Sequence, residues 1–199
     1  MLCSLNSLAQ HYHHHDHFPT LNHHHHHHYH QQVSIGNHEY DHLAGGANDP
    51  SGAPGNGFRP FSSNYYNDSN GECAVPIYHR FQWPNKGALG AAQFYYSFDA
   101  GPLHVVQLSS EHDYTVNSTQ WRWLLADLLA VNRSRTPFVV ATAHRMMYTT
   151  QLRETGDYFV SQLMQAALDD LFNGVVTPAA YVNLMLVGHQ HSYVARGLC

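Results

Sequence analysis

What most constrains the fold of this chain is the way its hydrophobic period switches along the second half. "LHVVQLSS" (103–110) is β-branched and apolar, the signature of a strand. Residues 118–131 then place Trp121, Leu124, Leu125, Leu128 and Leu129 at i, i+3, i+4, i+7 and i+8, one face of a helix. Asn117 or Ser118 can cap that helix, with Gln120 in its first turn. "PFVVATA" (137–143) is again a strand. Val160, Leu163, Met164, Ala167, Leu168 and Leu171 repeat the helical spacing, and Asn173-Gly174 can stop the helix. "YVNLMLV" (181–187) closes the series. The order strand, helix, strand, helix, strand predicts an α/β layer architecture with right-handed crossovers. Upstream, "QFYYSFDA" (93–100) is separated from 103 by Gly101-Pro102 and predicts a hairpin or adjacent strand. "VSI" (33–35) predicts a short buried strand ending at Gly36.

Around this region the composition changes sharply. Twelve of the 20 histidines lie in the first 30 residues, in "HYHHHDHFPTLNHHHHHHYH". Residues 1–32 show no helix or strand period and are expected to be low-complexity and disordered, leaving 33–199 as the folded part. Residues 41–76 are rich in Gly, Pro, Asn, Asp and Ser and predict a long irregular excursion of the kind that tends to be functional. With 43% hydrophobic and 12% charged residues, the 199-residue chain has enough apolar material for one domain with a real core. A net charge of -5 gives no basic footprint for nucleic acid or membrane surfaces. No apolar run reaches the ~20 residues of a membrane span. "MLCSLNSLAQ" lacks a basic leading segment and does not read as a signal peptide. Three cysteines, far apart and odd in number, make no disulfide framework. Glycosylation sequons begin at Asn67, Asn117 and Asn132, a mild sign of a secreted glycoprotein.

Three apolar strands end in polar clusters. "VSI" runs into Gly36-Asn37-His38-Glu39, "PFVVATA" into His144, and "LMLV" into Gly188-His189-Gln190-His191. Open α/β sheets bind ligands just beyond the carboxyl ends of their strands. Asn37, His38, His144, His189 and His191 are therefore expected to converge at one edge of the sheet. Taken singly, each has an ordinary explanation: a rim or core histidine, or a glycine turn. Together they form a set of imidazoles and an amide oxygen suited to zinc, iron or manganese.

At these residues the chain resembles the catalytic domain of the plant-type purple acid phosphatases, within the metallophosphoesterase superfamily. The matching segments are "SIGNHEYDH", "DPSGAPGNGF", "DSNGECAVP", "YHRFQWP", "FYYSFDAGPLHVVQLSSEHDY", "STQWRWLLADL", "TPFVVATAHRMMY" and "LVGHQHSYVARG", in family order over most of 33–196. The resemblance implies an α/β fold of layered β-sheets flanked by helices, here incomplete at its N-terminal side. It implies an acid phosphatase that hydrolyses small phosphomonoesters at a dinuclear centre of Fe(III) and a divalent zinc, iron or manganese. In that scheme Asn37, His144 and His189 bind the divalent metal and His191 the iron. His38 contacts the phosphate and helps protonate the leaving group, so Asn37 and His38 border the substrate. A secreted, extracellular or vacuolar location follows from the same resemblance.

The family pattern also has blocks that this chain lacks. DxG and GDxxY, which lie upstream of GNHE and supply the iron's Asp and Tyr and a bridging Asp, have no match in residues 1–35. Gly156-Asp157 is downstream, at the start of a helix, with Val160-Ser161 where the Tyr would be sought, and reads as a decoy. The VxxH block is Ala141-Thr142-Ala143-His144, and Arg196 stands one position later than in relatives. The chain ends at Cys199, before the family's C-terminal strands, and lacks the N-terminal fibronectin-like domain. It thus reads as a truncated catalytic domain with an exposed sheet edge and poor stability. Three functions are in play: the phosphatase itself, an inactive fragment holding at most one divalent metal, and a His-rich metal binder whose folded part is scaffold. The flexible tract lacks the fixed geometry and supporting hydrogen bonds of a catalytic site.

Overall fold

The computed structural model describes residues 33–40, 60, 74–81, 94–150 and 155–191; the expected low-complexity segment 1–32 and most of the excursion 41–76 lie outside them. Four strands form one mixed sheet in the order β1-β2-β3-β4: β1 Tyr96–Ala100, β2 Leu103–Gln107, β3 Phe138–Ala143 and β4 Leu184–Val187. The Gly101-Pro102 turn joins β1 and β2 as an antiparallel hairpin, with Ala100 opposite Leu103. Gly101 takes φ +58, a conformation open to a residue without Cβ. From β2 onward the strands are parallel, β2 to β3 and β3 to β4, each pair joined through a helix. This is the α/β alternation expected from the switching periods.

Helix α2 (Thr119–Ala130) crosses from β2 to β3, and helix α3 (Gly156–Phe172) from β3 to β4. Both begin at hydroxyl caps: Trp121 N donates to Ser118 Oγ at 3.1 Å, and Tyr158 N to Thr155 Oγ1 at 3.3 Å. α3 stops at Asn173, and Gly174 supplies the left-handed turn at φ +72. Trp121, Leu124 and Leu128 from α2 meet Met164, Ala167, Leu168 and Leu171 from α3 over Val106, Val139 and Ala141 of the sheet. The Trp121 indole donates to the Ala167 carbonyl at 3.0 Å and locks the two helices together. The buried stripe of α2 is narrower than its leucines suggest, for Leu129 is 52% exposed. Successive helical residues turn by about 100°, so seating Leu128 in the core carries Leu129 to the rim.

A second apolar cluster forms at the β1 side from Val33, Ile35, Tyr40, Ala74, Ile77, Phe94 and Tyr96. "VSI" is buried there but is not a strand. The Tyr96 hydroxyl donates to the Val33 carbonyl at 2.8 Å, a side-chain tether where a ladder partner was expected. A short helix, α1 (Val75–Arg80), was not anticipated; its six residues are too few to show a period. Its leading Ala74 donates to the Glu39 carbonyl at 2.8 Å, tying α1 to segment 33–40. On the sheet face away from α2 and α3, Phe138 and Leu184 are about half exposed. Among the described residues, no helix is long and apolar enough to cross a membrane.

His104 on β2 clamps α2 to the hairpin. Its Nδ1 lies 2.8 Å from Asp99 Oδ1 and its Nε2 3.0 Å from Asp127 Oδ2, while Ser97 Oγ donates to Asp127 Oδ1 at 2.6 Å. The Asp127 hydrogen bond raises the His104 pKa above its usual value, burial opposes this, and Asp99 adds to the rise. A raised folded-state pKa gives stability that is fully present below the unfolded value of 6.5 and is lost as pH rises through the folded value. Thermal melts should therefore show the wild-type chain losing stability as pH rises above 6.5, relative to His104→Gln. Parallel curves for the two proteins would contradict this account.

Candidate metal centre

Parallel strands β3 and β4 end side by side, with Ala143 opposite Val187. The ladder runs one step further, Gly188 N donating to the His144 carbonyl at 2.9 Å. His144 and His189 therefore leave the sheet next to each other. Segment 33–40 brings the third group. Gly36 N donates to Glu39 Oε2 at 3.0 Å and Glu39 N to the Gly36 carbonyl at 3.2 Å, closing a turn that points Asn37 inward. Asn37 is buried at 1% exposure, whereas His38, at the turn's outer side, is exposed.

Three atoms meet at this point. His144 Nε2 lies 2.7 Å from Asn37 Oδ1, His189 Nδ1 lies 3.1 Å from the same oxygen, and the two ring nitrogens are 3.2 Å apart. The rings cross at 79°, so their edges rather than their faces converge. An amide oxygen offers only lone pairs, and each neutral ring carries its one proton either on the nitrogen that faces Asn37 or on the other. Asn37 Nδ2 is buried with no hydrogen-bond partner among the described residues, a rare state for a buried polar group. Burial, chiefly, pushes the His144 pKa down to about 4, with neighbouring His189, Arg145 and His38 adding to the fall and Glu111 opposing it. His189 is shifted down as well, first by burial. Both imidazoles are thus held neutral, the form in which a nitrogen binds metal.

Close packing and strain hold the arrangement. A Cβ on Gly36 would stand 2.8 Å from the His144 ring, so only glycine leaves the imidazole its place. His189 sits at φ +67, a left-handed conformation rare outside glycine and found at functional sites. Behind His144, Arg145 and Glu111 form an ion pair with both side chains fully buried, Nε to Oε1 at 2.8 Å and Nη2 to Oε2 at 3.1 Å. Arg145 N also donates to Ser110 Oγ at 3.2 Å. Opposite the cluster, His189 Nε2 lies 3.4 Å from Asp157 Oδ1 on the first turn of α3.

The structure thus brings together Asn37, His144 and His189 from the expected set and leaves His38 exposed beside them. His191 is exposed, and no described contact joins it to the cluster. Among the described residues no group of three or more His, Cys, Asp or Glu is placed to hold a metal, so the third donor here is the Asn37 amide. The donors fit one divalent cation of the zinc class; they do not fit a ferric ion, which favours anionic oxygens. Gly156-Asp157 opens α3, as expected of a decoy for GDxxY, and its contact with His189 was not anticipated; nor was the Arg145–Glu111 pair, which belongs to no recognisable spacing.

Comparison with known proteins gives this architecture a class. Purple acid phosphatase PPD1 from yellow lupin (Lupinus luteus) seeds superposes with a TM-score of 0.57 at 24% identity, over 79% of this chain and 24% of that one. The domain has the α/β fold of a metallophosphoesterase. Among sequence relatives, Arabidopsis thaliana Probable inactive purple acid phosphatase 9 is 37% identical over 171 residues, 81% of this chain and 24% of the relative. Purple acid phosphatases 21 and 22 of the same plant are 34% and 35% identical over 114 and 115 residues, 57% of this chain and 24% of each relative. The chain belongs to the plant-type purple acid phosphatase family, and it spans about a quarter of the length of these relatives. No family model matches it.

Two substitutions probe the packing around the centre. Gly36→Ala should displace the His144 ring and destabilise by about 1–3 kcal/mol, as overpacking does; unchanged His144 imidazole resonances and melting temperature would contradict it. Glu111→Ala should cost about 3–5 kcal/mol by breaking a buried ion pair from one side, measured by urea unfolding.

Proposed function

We propose that this chain holds one divalent cation between Asn37 Oδ1, His144 Nε2 and His189 Nδ1, as the divalent-metal corner of a phosphatase centre. The convergence of those three atoms within 3.2 Å carries the reading. A cation bound there supplies Lewis-acid polarisation of a phosphate oxygen and lowers the pKa of a coordinated water. The chain's own part is to keep two imidazoles neutral and aimed, and to offer His38 at the exposed rim for contact with a phosphate and the leaving-group oxygen. The iron side finds no such support: His191 is exposed, and no described contact joins it to the cluster. This favours a metal-binding protein of phosphatase descent over a working hydrolase, and a relative bearing the name "Probable inactive purple acid phosphatase 9" agrees with it.

A second reading is acid hydrolysis of small phosphomonoesters at a full dinuclear centre with Fe(III) and a divalent zinc, iron or manganese. Its support is the family itself and the position of His38. A secreted or vacuolar glycoprotein suits either reading, because Asn117 and Asn132, which head two of the sequons, are exposed.

Metal analysis and turnover separate the two. On the first reading, His144→Ala and His189→Ala each bind about one zinc fewer per chain than wild type, a difference that cancels any metal held by the His tract. Hydrolysis of p-nitrophenyl phosphate at acidic pH then stays at the level of His38→Ala. Two site metals per chain, with turnover abolished by His38→Ala and His189→Ala, would overturn the first reading and establish the second.

A further inference from the structure

Asp157 was set aside on sequence grounds, yet it faces the ring nitrogen of His189 that points away from Asn37. Its Oδ1 is 3.4 Å from His189 Nε2, and the two side chains are only 18% and 11% exposed. We propose that Asp157 is a positioning residue for the divalent site: it accepts the Nε2 proton of His189, so that the Nδ1 lone pair is turned toward Asn37 and His144. This inference rests on the one-cation reading given above.

The chemistry runs through the tautomer. A neutral imidazole carries one proton, on one nitrogen or the other. If Nδ1 held it, His189 would present N–H, not a lone pair, to the point where a cation is to sit. An anionic acceptor at Nε2 selects the other form, the arrangement in which a carboxylate sets and orients a metal-binding histidine. At 3.4 Å the contact is long for a charge-assisted hydrogen bond, which suits orientation rather than proton sharing.

The carboxylate is well held for this role. It sits in the first turn of α3, after the Thr155 cap, where the helix dipole favours an anion. α3 in turn is anchored in the core by Val160, Met164 and Leu168. On the other side, Gln190 Nε2 donates to Thr149 Oγ1 at 2.8 Å, pinning the backbone just after His189. With φ +67 at His189 and a tether on each side, the ring has one orientation that reaches Asn37. The short helical register explains why the decoy is not idle: Gly156-Asp157 opens a helix, so it cannot present the spacing of a GDxxY loop, but it can present one carboxylate to the end of β4.

The test uses the full 199-residue chain with nitrogen-15-labelled histidine. Imidazole correlation spectra of the metal-free wild type should show His189, assigned through His189→Ala, as the Nε2–H tautomer. Asp157→Ala should shift it toward Nδ1–H, and Asp157→Glu should restore it. Zinc titrations read at the His144 and His189 resonances, which separate the site from the His tract, should show affinity falling about 10–100-fold in Asp157→Ala. Glu should recover most of that loss. Far-UV circular dichroism checks that the variants fold; alanine is well tolerated in a helix. An Nδ1–H tautomer in the wild type would overturn the proposal without recourse to any variant. So would an Asp157→Ala protein with unchanged tautomer and zinc affinity. If the wild type binds no zinc at these resonances but shows an Nε2–H form that Asp157→Ala removes, the one-cation reading fails and the Asp157 assignment stands.

Discussion

The fully buried pair of Glu111 and Arg145 is the constraint on which the rest of the site depends. Burying two charges costs several kcal/mol per ion unless geometry and further hydrogen bonds offset it. Here they do: the guanidinium meets the carboxylate at two points, and Ser110 Oγ donates to Glu111 Oε1 at 3.3 Å while accepting from Arg145 N. Such a pair tolerates little displacement, and it joins the segment after β2 to the residue directly after His144. With Gly188 N bonded to the His144 carbonyl on the other side, the backbone carrying this imidazole is held from both flanks. The core beneath has ordinary apolar packing; rigidity at the sheet's edge comes from charge.

That rigidity allows the site to keep features that would otherwise relax. A left-handed His189 and a buried Asn37 amide nitrogen with no partner among the described residues are each unfavourable. They share one location, where the His144 and His189 rings close on Asn37. Gly36 shows the same economy of space, since its missing side chain is what makes room for the His144 ring.

Much of this was legible in the sequence, and the reasons differ by element. α2, α3 and the three parallel strands could be read because their periods are long and two of the helix ends carry local signals: Ser118 and Gly174 each act within a few residues. His144 and His189 could be brought to one edge because strand ends in a parallel sheet lie together by construction, whereas Asn37 reaches that edge from a segment that is not a strand. "VSI" was read as a strand since burial and β-branching look alike in either state; only the Tyr96 tether, 63 residues away, decides it. His191 shares the GHxH spacing with His189, but a dipeptide step at the end of a strand does not fix where the second ring goes. Asp157 and the Arg145–Glu111 pair escaped because their partners are distant in sequence and carry no motif.

The divalent corner is also separable, in a physical sense, from an iron half. Its three donors come from the 36–39 turn and the ends of β3 and β4, and each is held by described contacts of the sheet, the Glu39 turn and the buried ion pair. Nothing in that list calls on DxG or GDxxY. Asn37, His144 and His189 are also pieces of the packing at the edge of the sheet, Asn37 buried between the two rings beyond the ends of β3 and β4.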